Sequence, residues 1–155
     1  MVVELKLYEG LTLSLVNVYA PQPARPTEEK EKCYQGLQKT VSSCMRKGPT
    51  IAAGDFNARV GKATNKIEKE VIGPYCFLPE EYDPYINFKD KVNVENLQEN
   101  RELFVGFCVS NRMAVTNTQF RKQQEKLYTH INTDTQPGVT PLQHGNYSQI
   151  DYITV

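Results

Sequence analysis

The chain has 155 residues, 39% of them apolar and 23% charged, with 18 Lys and Arg balanced by 18 Asp and Glu. That length supports one domain with its own core and is short for two, so residues 1–155 read as a single domain. The zero net charge lacks the broad basic footprint of many nucleic-acid binders, and no apolar run approaches the roughly 20 residues of a membrane-spanning helix.

Residues 1–7 alternate apolar and charged side chains, the pattern of a strand and not of a signal peptide, so an intracellular protein, nuclear or cytoplasmic, with no membrane partner is expected. The alternation resumes after Glu9-Gly10, which predicts an antiparallel hairpin over residues 2–8 and 11–19. Pro21-Gln22-Pro23 ends that run. Thr27, followed by Glu28 and Glu29, is the predicted N-cap of an amphipathic helix whose apolar stripe runs through Cys33, Tyr34, Leu37, Val41 and Cys44. A short apolar strand over 50–53 follows. Residues 62–96 are irregular, with Pro74, Pro79 and Pro84 among scattered aromatics, and read as a long loop. Helical spacing returns with Leu97, Leu103, Phe104, Phe107 and Cys108; strands are predicted over 113–118, 126–131 and 148–155, with a turn-rich connector over 133–145. The order predicts an α+β fold, a sheet backed by helices. Cys33, Cys44, Cys76 and Cys108 form no CxxC pair and have no histidine pattern nearby, which argues against zinc and for packed, reduced thiols.

The strand over 50–53 runs into Gly54-Asp55-Phe56-Asn57, an acid and an amide two positions apart just past an apolar run. A carboxylate delivered beyond a sheet edge can hold a hard cation or take a proton from water, and the neighbouring amide can donate to a phosphoryl oxygen. An Asx-turn uses the same residue types, so composition alone leaves both readings open. Two further stretches carry polar groups in strand context: Tyr19 in "NVYAP" ends an earlier strand, and Asp151 in "QIDYI" lies within an apolar one, where an unpaired acid is costly.

In this order, "NVYAP", "GDFNARVG" and "QIDYI" resemble the endonuclease/exonuclease/phosphatase superfamily, specifically the apurinic-type endonuclease domain of non-LTR retrotransposons and its craniofacial development protein 2-like relatives. "VIGPY", "ENRELFVGFC", "MAVTNTQF" and "KLYTH" extend the resemblance over most of the chain. It implies a partial four-layer αββα sandwich of the DNase I-like kind, lacking N-terminal and C-terminal strands, and a Mg²⁺- or Mn²⁺-dependent phosphodiester hydrolase acting on DNA. It also implies roles for matching positions: Asp55 activates or orients the attacking water, Asn57 orients that aspartate and contacts the scissile phosphate, Tyr19 bonds the phosphate or leaving oxygen, and Asp151 fixes and charges a histidine. Asn117 is placed near the site by the "TNT" strand. Arg59, with Lys62, Lys66 and Lys69, has the spacing to follow a DNA backbone or to form a solvated charged face. His130 stands where relatives carry an aromatic and is expected on a pocket wall or in solvent; His144 is expected in a loop.

The family's metal-binding glutamate would precede Val2 and its catalytic histidine would follow Val155, so no metal ligand is assigned here, and a catalytically impaired fragment is expected. The alternative is a non-catalytic protein- or nucleic-acid-interaction module keeping the half-fold. Either way an exposed apolar sheet face is expected, open to a homodimer or another partner.

Overall fold

The computed structural model describes residues 1–77, 91–123, 126–131 and 147–155. Pro79, Tyr82, Pro84, Tyr85, Phe88, the connector over 133–145 and His144 lie outside the described residues.

Strand β1 (Val2–Lys6) pairs antiparallel with β2 (Thr12–Tyr19), and a 3₁₀ turn at Tyr8–Gly10 closes the hairpin. Helix α1 (Thr27–Met45) carries the chain back so that β3 (Thr50–Asp55) pairs parallel with β2. After helix α2 (Lys91–Asn111), β4 (His130–Ile131) and β5 (Tyr147–Ser148) form a small antiparallel ribbon, and β6 (Asp151–Thr154) joins β3 antiparallel. The main sheet is therefore β1-β2-β3-β6, an α+β architecture with one helix layer on one sheet, as in a partial sandwich.

Alternation decides which face is buried. Ser14, Val16 and Val18 of β2, Ala52 of β3 and Tyr152 and Thr154 of β6 point to the helices and are buried. There they meet Tyr34, Val41 and Cys44 of α1 and Phe104, Phe107 and Cys108 of α2. Phe56, Phe104 and Tyr152 form the centre, with ring centroids 4.2 Å apart for Phe56 and Phe104 and 5.1 Å for Phe104 and Tyr152. The opposite face carries Val3, Leu5, Leu13, Leu15, Ile51, Ala53 and Ile153; Val3, Leu5 and Ile153 are exposed. This is the bare apolar face the sequence leads one to expect. All four cysteines are free, Cys44, Cys76 and Cys108 buried and Cys33 half-buried.

Several boundaries differ from the sequence reading, each for a local reason. Pro26, not Thr27, caps α1: its carbonyl accepts from Glu29 and Lys30, while the Thr27 hydroxyl bonds Glu99 of α2. α2 starts at Lys91, six residues before Leu97, so the supposed loop over 62–96 is partly helix. Residues 113–118 are not a strand. Val115 makes isolated bridges to Ile72 and Thr154, and Thr116–Thr118 turn as a 3₁₀ helix because the Thr118 hydroxyl bonds the Val115 carbonyl at 2.7 Å. Only His130 and Ile131 of the predicted strand over 126–131 are extended in a ladder, and the strand over 148–155 breaks at Gln149 and Ile150. That break makes Asp151 the first residue of β6 and not its middle.

Candidate active site

The expected residues meet at one end of the sheet. β2 and β3 set Tyr19 beside Asp55, and β3 and β6 set Asp55 beside Asp151, so a phenol and two carboxylates stand abreast at the ends of three neighbouring strands. Directly paired positions share a face, and this row lies on the outward side of the sheet. The ladders continue one step past it: the Ala20 N–H donates to the Asp55 carbonyl at 2.8 Å and the Phe56 N–H to the Ile150 carbonyl at 3.0 Å. The Asp55 carbonyl and the N–H of the next residue are thereby both held.

Beyond the row the chain turns sharply. Gly54 has φ +145, and a Cβ there would lie 2.0 Å from the Val18 carbonyl oxygen, so β2 and β3 approach this closely only with glycine at that point. Asp55 Oδ1 accepts the Asn57 N–H at 2.8 Å, and Asn57 sits at φ +48. The Asx-turn and the site are the same object: the turn orients the carboxylate, which still faces a cavity. The Asn57 amide is buried and donates to the Ala20 carbonyl at 2.8 Å, joining the loops after β2 and β3.

The cavity holds about 520 Å³ and is lined by Tyr19, Gln22, Pro23, Ala24, Asp55, Asn57, Arg59, Leu97, His130 and Ile150. Tyr19 is 70% exposed at its mouth. Partial desolvation holds the Asp55 carboxyl above its ordinary value; the Asn57 N–H opposes this, the like charge of Asp151 adds to it, and His130 opposes it again. Asn117 is spent on the main chain of β6: its amide donates to the Asp151 carbonyl at 3.4 Å and accepts the Ile153 N–H at 2.8 Å. Lys62, Lys66 and Lys69 are not among the lining residues.

Three supporting residues escaped the sequence reading. Asn100 of α2 is 2% exposed, and its amide donates to the carbonyls of Pro21 at 3.0 Å and Asn57 at 2.8 Å, clasping the two loops that form the cavity from beneath. Its Oδ1 is buried with no hydrogen-bond partner among the described residues. Thr129 accepts the N–H groups of both Ile150 and Asp151 at 3.1 Å, which seats β6 and, next to it, His130. Arg101, also buried, bonds the carbonyls of Val60 at 2.7 Å and Lys62 at 3.1 Å and pairs with Glu68 at 2.6 Å, pinning the chain that leaves the site. The signal was present: Asn100 and Arg101 follow Leu97 at helical spacing and face the core, where a polar residue must find partners. Lys30 is the same case on α1, fully buried four residues before Tyr34 and paired with Glu99.

Among the described residues no cluster of three His, Cys, Asp or Glu side chains exists, and Asp55 and Asp151 alone fall short of the oxygen shell a divalent cation takes. The donors do not make a complete metal site. No helix among the described residues is long and apolar enough to cross a membrane.

No family model matches the chain. It is 29% identical to craniofacial development protein 2 of Bos taurus over 142 residues, 91% of this chain and 19% of that protein. Over the same length it is 27% identical to craniofacial development protein 2 of Tragulus javanicus, covering 20% of that protein. Among solved structures it is similar to a 3′ phosphatase from Neisseria bound to a product DNA hairpin, at 18% identity and a TM-score of 0.49, covering 99% of this chain and 51% of that one. The chain thus spans about a fifth of the length of the curated relatives it matches.

Proposed function

We propose that this chain is a phosphoester-handling domain of the endonuclease/exonuclease/phosphatase superfamily, descended from a retroelement DNA endonuclease, and that its site binds a phosphodiester at the end of the sheet. The observation that carries the reading is the row Tyr19, Asp55, Asp151 at adjoining strand ends, with the first two opening on one cavity. In this reading Asp55 orients a water and takes its proton, a task suited to a carboxylate whose affinity for protons is raised by its surroundings. The Tyr19 hydroxyl donates to a phosphoryl oxygen, Arg59 offsets its charge, and Asn57 holds Asp55 through the turn. Asp151, seated by Thr129, stands beside Asp55 in the ladder.

A divalent cation would absorb charge on the phosphoryl group in such chemistry. Since the donors present do not complete a site for one, the chain by itself is proposed to bind phosphodiesters better than it cleaves them. The second reading, a non-catalytic interaction module, draws on the bare apolar face of the sheet. A nicking assay on supercoiled plasmid with Mg²⁺ separates the two. Slow nicking abolished by Asp55→Ala supports residual hydrolysis; nicking indifferent to that substitution comes from a contaminant and removes the enzymatic reading.

A further inference from the structure

We infer that the groove between α1 and α2 is a self-association surface: a second copy of this chain lays its α1 antiparallel along it, with Glu31 of each copy against Lys39 of the other. The inference is independent of the phosphoester reading and concerns the helix side of the sheet, away from the row Tyr19, Asp55, Asp151.

Two helices running side by side in the same direction build the groove. Lys30 pairs with Glu99, the Tyr34 ring lies 6.2 Å from that of Phe107, and Gln38 donates to Asn111 at 2.7 Å, so residue numbers climb together on both helices. The groove holds about 660 Å³, more than the cavity at the strand ends. Its floor is apolar, made by Tyr34, Leu103 and Phe107, and Gly106 stands among them. A Cβ added at Gly106 meets nothing within 4 Å, so no neighbour among the described residues requires glycine there. Glycine inside a helix is costly relative to alanine, and what it provides is a backbone that another chain can approach closely.

The charges on the rim select the occupant. Glu31, Gln35 and Lys39 are exposed and line the groove four residues apart, as a single ridge of the α1 surface. Glu31 and Lys39 stand about 12 Å apart along the axis, at about 1.5 Å per residue, too far to pair with each other. Neither has an ion-pair partner among the described residues. Turned end for end, the ridge presents Lys39 where Glu31 was and Glu31 where Lys39 was. Two antiparallel copies therefore meet with both ion pairs formed and Gln35 facing its twin on a twofold axis. Glu102, at the Glu31 end of the groove, gives the incoming lysine a second carboxylate; within its own helix it accepts from Gln98. The parallel dipoles of α1 and α2 also favour a third helix running the opposite way. Exposed ion pairs contribute little singly, so the dimer is a weak one, held by two of them over an apolar floor.

The test is sedimentation equilibrium of the whole chain carrying Ile153→Lys, which closes the bare sheet face to association. A monomer–dimer equilibrium with a dissociation constant of about 100 µM or tighter is expected at low salt, weakening as salt rises. Glu31→Lys and Lys39→Glu should each weaken it at least tenfold, because either one sets like charges together at both ends. Mixed in equal amounts, those two variants should pair with each other within about threefold of the parent affinity, since the mixed dimer has opposite charges at both ends. Gly106→Gln puts a side chain into the groove; it should keep or raise the melting temperature and abolish the dimer. A chain that stays monomeric at about ten times the expected dissociation constant overturns the inference. So do single charge variants that self-associate as well as the parent, a mixture that does not pair, or a dimer that survives Gly106→Gln.

Discussion

Asp55 serves two masters at the scale of a single residue. Its Oδ1 closes a turn, which any hydrogen-bond acceptor there would do, while its charge is held in a partly desolvated place beside Asp151. A carboxyl whose folded value is raised loses stability as pH climbs through that value and is costless when protonated below its unfolded value. Asp55→Asn keeps the acceptor and drops the charge. We expect it to melt higher than wild type at pH 7, a small gain that vanishes toward pH 3, followed by circular dichroism. The residue types in Gly-Asp-Phe-Asn were legible as a turn and as a candidate site; the turn forms, and its residues line the cavity. The ordered motifs named Tyr19, Asp55 and Asp151, whose side-by-side placement depends on ladder register and cannot be read from spacing.

Elements repeat the lesson on α2. This helix reads as apolar support, yet two polar residues on its inner face brace the loops that carry the site. Asn100→Leu strips the donors from two buried carbonyls and should cost roughly 2 kcal/mol. It should also weaken dithymidine monophosphate binding severalfold, whereas Cys108→Ala, a cavity mutation on the same helix, should lower the melting temperature without touching affinity. The Arg101 bond lowers the Glu68 carboxyl to about 2. A depressed acid stabilises the fold fully above its unfolded value and loses that contribution as pH falls toward the folded one. Stability should therefore decline from about pH 4.5 to 2, and Arg101→Leu, which costs about 3 kcal/mol at neutral pH, should flatten that limb of the curve. Strand periodicity located β1, β2 and β3 closely. It failed over 113–118 because Thr118 and Asn117 bond the backbone through their side chains, imitating ladder partners while the chain turns.

For the molecule as a whole, hydrophobic patterning foretold an α+β sheet backed by helices and the family resemblance a bare side, and that side is apolar across β1, β2, β3 and β6. A patch of this kind is an association hazard. Ile153→Lys, on an exposed position 47% open to solvent, should leave the melting temperature within about 1 °C and sharpen sedimentation profiles at high concentration by suppressing self-association. Deeper in, the aromatic trio has a consequence for every comparison between variants. Phe56 adjoins Asp55 and Tyr152 adjoins Asp151, so both acids ride on rings that rest against Phe104. The acids share a single keel: trimming Phe104 would let them drift as a pair, and a loss of binding would then arise from a residue that never meets the ligand.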